Sequence, residues 1–287
     1  MAVFHIKFES QYLGSRHPVT IVLPDTPRTM EPKEFFSNGQ KYPVLWLLHG
    51  TFGDCDDWLH RSMIEVFACE NNLAVVMPNG LNTDYVNWPK AGIGTNAYEY
   101  LFEELMPMVY NWLPVSDKRE DNYIAGLSMG GMGAMSYALG HPEKFSVAAS
   151  LSYPLMPAEY ELVLNPGDKL VGTPPHLKRF RPNRKENQIE NAGGIEAYKA
   201  SVANTWDRLI DAKSAGADLP KLYFCIGKKD FLYPAWIQFR SMIEEKGFDI
   251  VLEEEDGYGH EWRFWNMYIE RFIKRYVKSV PIDGLPF

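Results

Sequence analysis

Three side chains, far apart in the sequence, could together do covalent chemistry: Ser128, Asp230 and His260. Ser128 stands in Gly126-Leu127-Ser128-Met129-Gly130, where a short apolar run ending in Tyr123-Ile124-Ala125 meets a glycine-rich stretch. A Gly-x-Ser-x-Gly spacing between a strand and a helix marks a sharp, strained turn that lifts the serine hydroxyl above the sheet, with glycines admitting neighbouring backbone. A serine hydroxyl is a weak nucleophile at neutral pH, so it needs a base within hydrogen-bond reach and a carboxylate to orient that base. Asp230 lies just past the apolar run from Lys221 to Gly227, and His260 closes the turn Asp256-Gly257-Tyr258-Gly259-His260. The chemistry these residues offer is acyl transfer through a covalent intermediate.

His260 has competitors among the seven histidines. His49 precedes the serine and belongs to His49-Gly50-Thr51-Phe52-Gly53, a loop better suited to donating backbone N–H groups, so its expected role is a structural hydrogen bond. For the acid, Asp256 is too near the histidine turn and Asp249 falls inside a strand, which leaves Asp230 at a strand end. A developing oxyanion would take the N–H of Met129, directly after the nucleophile, and that of Thr51 or Phe52.

The elements that must hold these residues read as alternating strands and helices. Val3 to Phe8 and Val19 to Leu23 predict two antiparallel edge strands; Val44 to Leu48 predicts a central strand buried on both faces. Asp57 to Asn71 predicts a helix, Leu73 to Pro78 a strand, and Asn96 to Leu113 a helix capped by Asn96, striped by Leu101, Leu105, Val109 and Trp112, and either kinked or divided into two short helices at Pro107. The elbow helix should stop near Gly140-His141-Pro142, followed by a core strand over Phe145 to Leu151. Lys221 to Gly227 and Phe248 to Glu254 give further strands, with a helix over Pro234 to Lys246 between them and a terminal helix bearing Trp265, Tyr268, Ile269, Phe272, Ile273 and Tyr276. Such alternation implies a mostly parallel sheet with right-handed crossovers, flanked by helices.

Between Tyr153 and Pro220 the pattern breaks: prolines at 154, 157, 166, 174, 175 and 182 accompany a basic run of His176, Lys178, Arg179, Arg181, Arg184 and Lys185. A helical stripe returns only with Ile195, Tyr198, Val202, Trp206 and Leu209. Residues 153–220 are therefore expected to form a cap or lid within a single domain spanning 1–287, the basic run being a solvated face. The loop after the fourth strand, Asn79 to Trp88, should share the carboxyl edge with Ser128, making Tyr85 and Trp88 candidates for a substrate pocket.

Composition narrows the function classes. With 46% hydrophobic, 14% aromatic and 23% charged residues, 287 residues supply a sizeable core and an ordinary surface. A net charge of -8 argues against nucleic acid or an acidic membrane as partner and favours a small-molecule substrate. Cys55, Cys69 and Cys225 lack any CxxC spacing, so buried free thiols are expected, not a disulfide framework or thiolate metal site. The opening residues show no secretory pattern and no apolar run is long enough to span a bilayer, which predicts a cytoplasmic protein without membrane attachment; a homo-oligomer is compatible with all of this.

Taken together, His49-Gly50-Thr51-Phe52-Gly53, Gly126-Leu127-Ser128-Met129-Gly130-Gly131, Gly227-Lys228-Lys229-Asp230-Phe231-Leu232 and Gly259-His260-Glu261-Trp262-Arg263-Phe264-Trp265 resemble the esterase D-like superfamily, with greatest similarity to its tributyrin esterase and feruloyl or acetyl esterase branch. The resemblance covers nearly the whole chain apart from residues 153–220. It implies an α/β-hydrolase fold, no metal or other cofactor, and hydrolysis of short-chain acyl or hydroxycinnamoyl esters. S-formylglutathione hydrolases share the superfamily, but the His260-Glu261-Trp262 ending is more similar to the esterase branch, and Trp262 joins the pocket candidates. The rival readings are a formylglutathione-type thioesterase, an acyltransferase, and a non-catalytic binding module on the same scaffold.

Overall fold

The computed structural model describes residues 1–92, 95–158 and 184–278. Among these, eight strands form one sheet in the order β1-β2-β4-β3-β5-β6-β7-β8. They are β1 (Ala2–Ser10), β2 (Ser15–Leu23), β3 (Val44–Leu48), β4 (Ala74–Pro78), β5 (Asn122–Leu127), β6 (Val147–Leu151), β7 (Lys221–Gly227) and β8 (Val251–Glu255). β2 runs antiparallel to both β1 and β4, and every pairing from β4 across to β8 is parallel. This is the mostly parallel, helix-flanked sheet of the α/β-hydrolase fold.

The two-residue period of the strands divides the core. In β3, Val44, Trp46 and Leu48 pack on one face, and Leu45 and Leu47 on the other. The first face is covered by the helices Met129–Gly140, Thr205–Ser214 and Tyr233–Glu245; the second by Ile64–Glu70 and Trp262–Tyr276. With both faces covered, the central strands need no polar alternation, which explains their unbroken apolar runs.

Several expectations need correction. β2 is not an edge strand, because β4 pairs with its far side and leaves β1 at the edge. The expected helix from Asp57 to Asn71 is two, Asp57–Arg61 and Ile64–Glu70, with Met63 exposed at the break. Between Ala97 and Trp112 the chain widens into a π-helical segment, Tyr100–Leu105, before Met106–Trp112. The wider turns accommodate Pro107, which lacks an N–H and whose ring would clash with the preceding turn. Asn96 makes no side-chain cap there, and Trp112 faces solvent while Leu101, Leu105 and Val109 are buried.

Within 153–220, the expected single stripe is split into Ile195–Ala200 and Thr205–Ser214, preceded by Arg184–Ala192. Trp206 and Leu209 belong to the main core. Tyr198 and Ala203 instead join Val86, Trp88, Met132 and Ala158 in a smaller cluster. The prolines at 166, 174, 175 and 182, and His176, Lys178, Arg179 and Arg181 of the basic run, lie outside the described residues. All three cysteines are buried free thiols, and no helix among the described residues is long and apolar enough to cross a membrane.

Candidate active site

Ser128 follows the last residue of β5, at the head of the Met129–Gly140 helix, with φ 52° and ψ -118°. A side chain is rarely held at positive φ, and such strain, about 1–3 kcal/mol, persists only where the surroundings impose it. Here they do: the Ser128 N–H donates to the Leu151 carbonyl at 2.8 Å, extending the β5–β6 ladder, and the Ser128 carbonyl accepts from Gly131 N–H at 2.9 Å. The turn is too tight for side chains on its flanks. A Cβ at Gly126 would collide with the Gly130 backbone, and one at Gly130 with the Leu48 carbonyl.

The loop after β3 lies against this turn. Leu48 pairs with Gly126 in register, and a Cβ on Gly50 would stand 3.5 Å from Ser128 Cβ. His49 is buried within the loop. Its Nδ1–H donates to the Gly50 carbonyl at 2.7 Å, and its Nε2 accepts from the Gly80 N–H at 2.9 Å. That pair of bonds requires the neutral Nδ1–H tautomer, and burial pulls the imidazole below its ordinary pKa. The Phe52 N–H donates to the Asn82 amide oxygen at 2.9 Å, and Phe52 itself has φ 67°. Asn82, which no spacing argument singled out, thus ties the loops after β3 and β4 together. Met129 opens its helix, so its N–H is one of those with no partner inside the helix.

On the other side, Asp230 and His260 come together from the loops after β7 and β8. His260 Nδ1–H donates to Asp230 Oδ2 at 2.7 Å, with the Asp230 side chain fully buried. The second Asp230 oxygen accepts the Leu232 N–H at 2.9 Å, and the Lys229 N–H donates to the Tyr258 carbonyl at 2.8 Å, joining the two loops. The imidazole meets the Trp265 ring edge-on, centroids 4.9 Å apart. Trp265 Nε1–H donates to Ser152 Oγ at 3.0 Å, and the Ser152 N–H donates to the Cys225 carbonyl at 2.8 Å. A chain of contacts therefore runs from β8's loop back across the ends of β7 and β6 toward Ser128.

The pocket candidates are largely packed into the protein. Tyr85 is 1% exposed, and its hydroxyl accepts the His49 N–H at 3.0 Å; Trp88 is 5% exposed and donates to the Thr83 carbonyl at 2.7 Å. Both brace the loop after β4 and present almost no surface. Trp262 is half-buried between Trp58 and Trp265, with centroids at 5.1 Å and 5.3 Å. Phe231, which follows Asp230, packs its ring 4.7 Å from His260; its only signal in the sequence was adjacency to the acid.

For a metal, the described residues offer Asp54, Cys55 and Asp56, whose ligand atoms lie within 4.8 Å of one another. Burial pushes the Cys55 thiol up to about 11, which disfavours the thiolate a metal would require. Thr20 already donates to Asp56.

Comparison with known proteins gives the chain a family. The Esterase family model matches residues 10–276. An acetyl esterase of Caldicellulosiruptor saccharolyticus is 29% identical over 273 residues, covering 94% of this chain and 96% of that protein. The S-formylglutathione hydrolase FrmB from Staphylococcus aureus has a TM-score of 0.76 and 28% identity, covering 96% of this chain and 99% of its own. A ferulic acid esterase shares the fold at a TM-score of 0.66 and 22% identity, over 96% of this chain and 97% of that one. With a strained serine at the head of a helix, a buried carboxylate oriented on a histidine, and a family match from β1 to the terminal helix, the chain belongs to the Esterase family and is a serine ester hydrolase of the α/β-hydrolase fold.

Proposed function

We propose that the protein hydrolyses short-chain acyl or hydroxycinnamoyl esters through an acyl-enzyme carried on Ser128. The observation that carries this reading is the 2.7 Å bond between His260 Nδ1 and a fully buried Asp230 carboxylate, in loops that converge on the edge bearing Ser128. With Nδ1–H committed to Asp230, His260 Nε2 is the atom left to act as base. Ser128 Oγ attacks the ester carbonyl as His260 Nε2 takes its proton. The oxyanion accepts hydrogen bonds from Met129 N–H and from Thr51 or Phe52 N–H; Phe52 would exchange Asn82 for the oxyanion. The tetrahedral adduct collapses, His260 protonates the departing alkoxide, and the alcohol leaves. Water, deprotonated by the same histidine, then releases the acid and restores Ser128.

The similarity to an acetyl esterase favours small acyl groups. The similarity to FrmB supports a second reading, a thioester with a small acyl group, which uses the same residues. We assign the cap role to residues 153–220 apart from Leu155, Met156 and the helix Thr205–Ser214, which pack into the main core. Ser128→Ala tests the whole scheme: turnover of acetyl esters should fall by at least about 10⁴-fold, and labelling by a fluorophosphonate probe should disappear. Wild-type turnover in that variant would remove Ser128 from the chemistry.

A further inference from the structure

Phe231 is 55% exposed although it lies between buried Asp230 and partly buried Leu232. The turn dictates this. Asp230 Oδ1 accepts the Leu232 N–H at 2.9 Å, and the Asp230 carbonyl accepts the Tyr233 N–H at 3.0 Å. With both neighbours directed inward, the residue between them must point outward on a backbone that cannot easily rearrange. A large aromatic ring is thus held in solvent 4.7 Å from the His260 imidazole, at an interplanar angle of 54°. Of the charged residues nearby in sequence, Lys228 pairs with Asp256 at 3.2 Å and Glu261 accepts the Gly259 N–H at 3.1 Å, while Lys229 is exposed.

Position gives this ring a meaning. In the mechanism proposed above, on which this inference rests, His260 hands its proton to the leaving-group oxygen, so the substituent on that oxygen must pass beside the imidazole. The oxyanion and its donors lie on the opposite flank, where β3 adjoins β5, whereas β7 is two strands away on the His260 side. We infer that Phe231 forms the leaving-group subsite and selects esters of flat, apolar alcohols, aromatic ones above all. A rigid ring covered by substrate contributes apolar burial and ring–ring contact at small entropic cost. Aliphatic alcohols of one or two carbons are too short to cover it.

The test compares kcat/KM for benzyl acetate, ethyl acetate and ethyl butyrate in the wild type, Phe231→Ala and Phe231→Leu. Benzyl and ethyl alcohols are similarly basic leaving groups, so their ratio reports binding beside His260. In Phe231→Ala the benzyl-to-ethyl preference should fall about tenfold, with the butyrate-to-acetate ratio unchanged and part of the preference recovered in Phe231→Leu. Any general loss from a displaced His260 cancels in the ratio. An equal fall for all three esters, an unaltered benzyl-to-ethyl ratio, or a change in the butyrate-to-acetate ratio instead would overturn the assignment. Those outcomes leave the esterase reading standing; a wild type that hydrolyses none of the esters and is not labelled at Ser128 overturns both.

Discussion

At the scale of single residues, the arrangement depends on groups whose freedom has been removed. Ser128 is held at positive φ by ladder bonds to β6 and by glycines that let strand and helix backbones touch. Asp230 is buried, yet both its oxygens have partners, one the His260 ring and the other a backbone N–H. Replacing it with Asn keeps the shape but offers Nδ1 an amide that can force the wrong tautomer. Asp230→Asn should therefore lower kcat by about 10³–10⁴-fold with KM little changed, as measured by steady-state ester hydrolysis. A loss under tenfold would assign the orienting role to another group. His49 shows the converse case: its ring is buried and both nitrogens are engaged by backbone, which suits a loop brace.

At the scale of elements, the sheet carries the candidate residues at the ends of four strands, β3, β5, β7 and β8, and the last of these is fastened from both faces. β8 carries three consecutive glutamates with partners on both faces. Glu253 accepts from Tyr223 and Arg275, and Glu255 from Tyr268 and Arg271. Between them, Glu254 accepts from Tyr233, Trp236 and Arg240 on the helix that begins just after Asp230. The strand leading to His260 is thereby fastened to the helix leaving Asp230. The helix Thr205–Ser214 is an element whose assignment changed with the structure. Since Trp206 is 5% exposed and lies in the main core, Trp206→Ala should cost about 3–5 kcal/mol of global stability by denaturant titration. A cost below about 1 kcal/mol would return this helix to the cap.

For the whole molecule, buried imidazoles set a pH dependence. His17, His49 and His141 are all held below the ordinary histidine pKa of 6.5, burial being the largest cause in each. The unfolded chain takes up these protons near pH 6.5 while the folded chain resists them, so stability is fully present above that pH and is lost as pH falls through the depressed values. Glu254 adds to the loss at lower pH. Burial pulls its carboxyl up, but Trp236, Tyr233 and Arg240 more than offset this and hold it below 4.5. Urea midpoints should therefore hold between pH 7.5 and about pH 6.5 and fall from there to pH 5; a flat profile throughout would mean the imidazoles ionise without hindrance. Much of the architecture that produces this burial was legible beforehand. The apolar runs at 44–48, 73–78 and 221–227 read as strands, and the glycine spacing around Ser128 as a tight turn. Less legible were the π-helical segment before Pro107 and the break between residues 200 and 205, because periodicity records which residues are buried and not where the backbone must widen or stop.

By itself, the sequence determined the order of the strands along the chain, the glycine-flanked turn at Ser128, and the placing of Asp230 and His260 just beyond later strands, because these depend on local spacing and on residue type. Only the tertiary structure decided what meets what. It joined Asp230 to His260 across 30 residues, engaged the Phe52 N–H with Asn82, and buried Tyr85 and Trp88, the candidates for a pocket wall. It also turned Phe231 outward, since a side chain's direction at a turn follows from the hydrogen bonds of its neighbours, which a linear pattern does not contain. The difference between Gly126-Leu127-Ser128-Met129-Gly130 as a spacing and as a site is that set of long-range contacts.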